Sequence, residues 1–424
     1  SRGTLPFQLA GNIRHGGLVE LAFGVTLREL LFDYGGGKAL AGGVPANAGF
    51  AGFRLHYPIN DPRVSDELIS FLGASSFRFL GRRHRYGLSA LGLTIDAAGS
   101  HGEEFPRFRE FWVDASRARE GVCVVHALLD SPAVAGAYRF QIYPAVRTSV
   151  DIFATLFPRR TLDGVGLAPL ATMYFSGENN PGPRADGFHR ELHDSDGLLM
   201  HTGTGEWIWR PLRNPAEKRV SAFQDDNPRG FGLMQRDRQF ESYQDLDALY
   251  HRRPSYWVEF LGPWGKGHIE MVEQPAADET GDNIRVHWRP AAAPQAGHEY
   301  SFSYNIKALS SDDHLDPGGK VINTFIMPAR NAGGGDDGAT RFIVDFSGGD
   351  LAYYQPVAAS VELVPTTTVG AVTAVSLVPN EEIKGFRASF DVRLPAGETT
   401  DLRAYLKSGT AAVTETWTYP FSRT

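Results

Sequence analysis

Two short stretches concentrate the residues that could do chemistry. HDSDGLLMHTGTGEWIWRP, residues 193–211, carries Asp194, Asp196, Glu206, Trp207, Trp209 and Arg210, and PAADETGDNI, residues 275–284, carries Asp278, Glu279 and Asp282. Cleaving a glycosidic bond needs one protonated carboxyl to protonate the leaving oxygen and one carboxylate to activate water or attack carbon. Aromatic rings hold the sugar faces. Between the two acidic stretches lies YQDLDALYHRRPSYWVEFLGPWGKGH, which offers Tyr250, Arg253, Tyr256, Trp257 and Trp264. Guanidinium groups and rings together suit a polyhydroxylated ligand. The competing roles are structural: Asp and Asn cap turns by bonding their own backbone, and tryptophans fill cores. Trp207 and Trp209 flank Ile208, so on a strand both rings share one face, turned either to a cleft or to the core.

Other chemistries lack support. DYGGGKAL has Ala39 where a phosphate-binding loop needs Ser or Thr after its lysine. There is no H-E-x-x-H and no G-x-S-x-G. Asp194 and Asp196 form an aspartate-x-aspartate pair of the kind that holds a divalent cation in nucleotide-sugar transferases, but that motif belongs to α/β folds. The single cysteine, Cys123, sits in the apolar run GVCVVHALL and reads as core, so neither an internal disulfide nor a cysteine-based metal site is available. A net charge of −7 without acidic or basic blocks recommends neither nucleic acid nor an anionic membrane as a partner. No apolar run reaches membrane-spanning length. The start at Ser1 has no leader pattern, but a mature secreted or periplasmic protein also lacks one.

The elements that must position these residues are strands. YRFQIYP, VELVP, RFIVDFS, ASFDVRLP and ETWTYPF are short, rich in β-branched and aromatic residues, and bounded by turn formers. Helical periodicity is expected only at Ser65–Leu72 and Tyr243–Arg252. The expected fold class is all-β: a large antiparallel β-sandwich over 1–308, a linker at 309–319 (LSSDDHLDPGG), and an immunoglobulin-like sandwich over 320–424.

The wording of the chain resembles the osmoregulated periplasmic glucan biosynthesis proteins, the OpgG/OpgD (MdoG/MdoD) family. The resemblance is carried by GFAGFRLHYP, FLGASSFRFL, YGLSALGLTID, GEEFPRFREFW, ALLDSPAVAGAYRF, HDSDGLLMHTGTGEWIWRPL, NPRGFGLMQRDRQFESYQD, RRPSYWVE, ETGDNI and FIVDFSGGD. It implies a periplasmic protein with a cleft in its large sandwich, acting on β-1,2-glucan. Some members are inverting endo-β-1,2-glucanases, and the correspondence makes Asp282 the general acid and Asp194 the general base, with Tyr250 a binding or relay tyrosine. Ser76, Leu91 and Thr204 depart from the pattern, as do residues 10–31.

The assignment asks for definite surroundings. Asp282 must hold a proton, with Glu279 or an apolar surround raising its pKa; Asp194 must stay ionised, helped by His193, Arg210 or Arg253. Trp207, Trp209, Trp257 and Asp196 complete the substrate-binding candidates. Acid–base hydrolysis needs only carboxyls and water, so no cofactor and no metal is expected. Transfer to a sugar acceptor would use the same residues. The rival function is a non-catalytic glucan-binding factor assisting a membrane glucan synthase. A homodimer whose second copy closes the cleft is left open by the residues.

Overall fold

The computed structural model describes residues 52–99, 102–114, 120–182, 188–330 and 336–423, with the backbone of two further strands, Thr4–Leu9 and Gly17–Ala22. Residues 10–16 and 23–51, including Lys38 and most of the divergent N-terminal segment, lie outside the described residues. The fold is all-β. Among the described residues, two broad sheets dominate, one of 11 strands and one of 13, with a separate four-stranded sheet near the C-terminus.

The strands follow from side-chain alternation. Ser149–Pro158 (SVDIFATLFP) buries every second residue, and its neighbours Val134–Tyr143 and Tyr300–Leu309 pair with it antiparallel. Leu156, Ile152 and Val150 thereby join Phe140, Phe77 and Phe71 in the core between the two large sheets. Phe71, Phe77, Phe108 and Phe140 meet edge-on or stacked, with centroids 5.1 to 6.4 Å apart. Cys123 is buried at the start of strand Cys123–Asp130, which pairs with Val134–Tyr143, and burial pushes its thiol up to about 12.

The helix expected at Ser65–Leu72 is corrected to a strand, Val64–Leu72. Leu68 to Phe71, Ser70 included, are buried without a break, so both faces of the strand are covered there. Cross-strand partners override local periodicity: Ile69 sits between Leu55 and Phe79, and Phe71 between Phe53 and Phe77. The second expected helix is only partly formed. Phe240–Tyr243 and Tyr250–Arg252 are single turns, and Gln244 and Leu249, both at positive φ, break the run between them.

Residues 309–319 join strand Tyr300–Leu309 of the 13-stranded sheet to strand Lys320–Arg330 of the four-stranded one, and strands Val361–Thr367, Thr399–Ser408 and Thr416–Ser422 rejoin the 13-stranded sheet. Trp207–Pro211 pairs in parallel with Thr416–Ser422 through Ile208 and Trp209, whereas every other ladder among the described strands is antiparallel. A second core gathers Phe342, Phe390 and Trp417 from beyond residue 320 with Trp209, Met234 and Trp257 from before it. Arg236 ties the seam polar-side. It donates to Asp312 at 2.9 Å, to the Val321 carbonyl at 2.7 Å and to Glu415 at 2.6 and 3.0 Å, while its guanidinium lies 3.6 Å over the Trp209 ring.

Arg236→Met leaves Asp312 and Glu415 as buried carboxylates with one cation fewer. It should destabilise the fold by about 3–5 kcal/mol, read as a lower midpoint in urea unfolding.

Candidate functional site

The two acidic stretches are brought together by a short ladder. Tyr174–Ser176 extends from the end of strand Val165–Thr172 and pairs with Leu192–His193, so Tyr174 stands opposite His193. The next residue, Asp194, donates its backbone N–H to the Met173 carbonyl at 2.9 Å. From the other side Asn283 grips the same strand. Its Oδ1 accepts from the Tyr174 N–H at 2.8 Å, and its Nδ2 donates to the carbonyls of Tyr174 and Gln274, both at 3.0 Å. Asp282 precedes Asn283 and is therefore held at the opening of strand Ile284–Pro290, beside the Asp194 loop.

The two carboxyls have different surroundings. Asp194 is buried, its side chain 6% exposed, and is ion-paired with the Arg253 guanidinium. Asp282 keeps a quarter of its side-chain surface open. Its Oδ2 accepts from the Ser89 hydroxyl at 3.3 Å and lies 3.8 Å from Arg78, which itself donates to Ser89 at 2.7 Å. Burial raises the Asp282 pKa above the ordinary aspartate value; Arg78, Ser89, Arg285 and Arg253 pull the other way without cancelling it. Glu279 is exposed and is not what raises it.

Arg253 links the two. It pairs with Asp194, and its charge also reaches Asp282. Burial, then Arg78, lowers its pKa to about 10, so it remains a cation at neutral pH. The Tyr250 ring lies 4.0 Å beneath the guanidinium and stacks on Tyr243. Tyr250 is itself buried, and burial with Glu279 and Asp245 pushes its phenol up to about 12. Gly87 leaves room for the arginine stem, since a Cβ there would come within 2.9 Å of Arg253 Cβ and Cδ.

The remaining candidates lie elsewhere. Trp209 and Trp257 are each 3% exposed in the second core, and Trp207 packs against that core, stacked on His201 at 3.9 Å. Arg210 is buried against Glu273 at 2.8 Å. Tyr256 is spent on the Phe79 backbone, and Trp264 on the Ser303 carbonyl. Asp196 does not share a partner with Asp194. Its Oδ2 accepts the backbone N–H groups of Arg236 and Asp237. A cation gripped jointly by Asp194 and Asp196 thus has no geometric basis here.

Sequence reasoning missed Arg78, Ser89 and Asn283. Arg78 alternates with the buried Phe77 and Phe79, a pattern that marks it as facing away from the core. Two departures from the family wording, Ser76 and Leu91, pair directly across the same two strands. They flank Arg78 and Ser89 in sequence and lie on the same side of the sheet as them.

Fold and site together define an all-β sandwich protein in which Asp194 pairs with Arg253 and Asp282 with Arg78, the Arg253 charge reaching both carboxyls. The family described as "Periplasmic glucan biosynthesis protein, MdoG" matches residues 18–421, and the chain belongs to it. The chain is 43% identical over 400 residues to the probable glucans biosynthesis protein D of Shewanella oneidensis, covering 92% of this chain and 72% of that one. It is 43% identical over 399 residues to glucans biosynthesis protein G of Ralstonia nicotianae, covering 92% and 78%. With protein G of Pectobacterium atrosepticum the identity is 42% over 381 residues, covering 88% and 72%. Among the described residues no helix is long and apolar enough to cross a membrane.

Ser89 is one of the groups that lower the Asp282 pKa, so Ser89→Ala should move it further up. The Asp282 carboxyl carbon, followed by NMR against pH, should titrate above the ordinary value in the intact protein and higher still in the variant.

Proposed function

We propose that this protein is a periplasmic glycoside hydrolase or transglycosylase that acts on β-1,2-glucan in osmoregulated periplasmic glucan biosynthesis. Asp282 is the general acid and Asp194 the general base. The observation that carries this reading is the unequal treatment of two neighbouring carboxyls: one is partly open with a raised pKa, the other covered and paired with Arg253. An acid must meet the glycosidic oxygen directly, and Asp282 is the more open of the pair. A base can act at a distance through water.

In the forward step Asp282 gives its proton to the leaving glycosidic oxygen while water attacks the anomeric carbon. That water loses its proton toward Asp194. Because Asp194 is only 6% exposed and already holds a guanidinium, direct attack by its oxygen on carbon is disfavoured. A water or sugar hydroxyl in between is the simpler route, and it inverts the anomeric centre. Arg253 keeps Asp194 ionised and its oxygens oriented, and Tyr250 supports Arg253 from below. An acceptor sugar in place of water would give transfer with the same residues.

The relatives' names speak of biosynthesis, which a non-catalytic factor feeding or holding glucan for a membrane synthase would also satisfy. The two readings separate on turnover. Incubated with linear β-1,2-glucan, the intact protein should release shorter glucans whose new reducing ends first appear as the α-anomer by NMR. Asp282→Asn should lower kcat by roughly 10²–10⁴-fold while still binding glucan. Binding without turnover by the intact protein would instead establish the glucan-binding factor.

The pH dependence has a defined sign. The acid works protonated and its folded pKa is raised, so kcat/KM should fall as pH rises through that value. Ser89→Ala should carry this alkaline limb to higher pH.

A further inference from the structure

Beneath the Asp194 loop lies a second cluster, which the acid–base mechanism does not use. Glu191, His193 and Asp237 each present a ligand atom, all within 4.8 Å of one another. His193 is 1% exposed and its Nε2 lies 3.3 Å from Glu191 Oε2 and 3.4 Å from Asp196 Oδ1. None of these three atoms has a hydrogen-bond partner among the described residues.

The other ring nitrogen fixes the tautomer. His193 Nδ1 lies 3.0 Å from Gln235 Oε1. The amide of Gln235 cannot be turned round, because its Nε2 already donates to the carbonyls of His193 at 3.1 Å and Tyr250 at 3.3 Å. Gln235 Oε1 must therefore accept, and Nδ1 carries the proton. Nε2 is thereby aimed at two carboxylate oxygens at ion-pair distance, with a proton or a metal cation needed between them. Lone pairs facing one another in a buried site repel unless a positive centre stands between them. An imidazole that donates one nitrogen to an acceptor and offers the other is the arrangement of a metal-bound histidine.

We infer that Glu191, His193 and Asp237 form a binding site for a divalent cation of the zinc class, with Asp196 alongside as a further oxygen donor. One imidazole among carboxylates favours zinc over calcium or magnesium, which take oxygen donors. The separations of His193 Nε2 from Glu191 and Asp196 agree, since a tetrahedron with bonds of about 2.0–2.1 Å has edges of about 3.3–3.4 Å. A pocket of about 630 Å³, lined by Glu178, Arg190, Glu191 and Asn323, adjoins the cluster at Glu191. The ion takes no part in the sugar chemistry. It ties strand Leu192–His193 to the loop at Gln235–Asp237 and so anchors the chain next to Asp194.

The test uses the whole chain, stripped with EDTA and titrated with zinc chloride. Elemental analysis should find one zinc per chain after dialysis, and the melting temperature should rise with zinc and fall back with EDTA. Glu191→Gln keeps the side chain's size and should weaken zinc binding by more than the roughly 10–100-fold that loss of an outer partner costs. X-ray absorption at the zinc edge of the intact protein, which needs no variant, should give one nitrogen and otherwise oxygen neighbours at about 2.0 Å. The inference is overturned if the intact chain takes up no zinc, which would leave His193 as an imidazolium shared by its carboxylates. It is equally overturned if Glu191→Gln binds zinc as tightly as the intact chain, or if absorption shows several imidazoles around the ion.

Discussion

Asp194 is a carboxylate taken out of water, and Arg253 is what makes that tolerable. A buried carboxylate without a cation would either take up a proton or weigh heavily against folding. The guanidinium in contact favours its charged form and fixes its direction. The arrangement around it follows from this need. Gly87 leaves space for the arginine stem, Tyr250 supports the guanidinium face, and Arg78 and Asp282 complete the charges that Arg253 meets. Asp282 then lies in a neighbourhood where burial lifts its pKa and three arginines, with Ser89, limit the rise.

The sheets bring these groups to one place from distant parts of the chain. Arg78 and Ser89 come from adjacent strands of the 11-stranded sheet, Asp282 from the start of a third strand in it, and Arg253 from the turn leading into the other large sheet. The ladder between Tyr174 and His193 stitches the acidic loops together, with Asn283 as its third member. Carboxyl chemistry tolerates little misplacement. Backbone ladders and a buried amide are the stiffest means available to such loops.

Much of the fold was legible because strands buried on one face alternate, as SVDIFATLFP does. It failed at Val64–Leu72, where Leu68 to Phe71 are all buried, Ser70 included, so burial does not alternate; only the partners Leu55 and Phe79 reveal a strand. The acidic stretches were legible from wording and residue type, whereas their electrostatics were not. Glu279 looked like the neighbour that would raise Asp282, but three residues along an exposed loop do not make a spatial pair. Ser89 and Asp282 touch across 193 residues of chain. The tryptophans of WIWRP illustrate the same limit: alternation put Trp207 and Trp209 on one face, and only the parallel strand Thr416–Ser422 shows that this face belongs to the second core.

The central claim is that glucan meets Asp282 directly and Asp194 through an intervening hydroxyl or water. The most direct measurement is a crystal structure of the Asp282→Asn variant with a β-1,2-glucan oligosaccharide bound. The account predicts a glycosidic oxygen within about 2.6–3.2 Å of the side chain at position 282. It also predicts a water or sugar hydroxyl leading from the anomeric carbon to Asp194. An oligosaccharide seated elsewhere, with neither carboxyl within reach of a glycosidic bond, would contradict it.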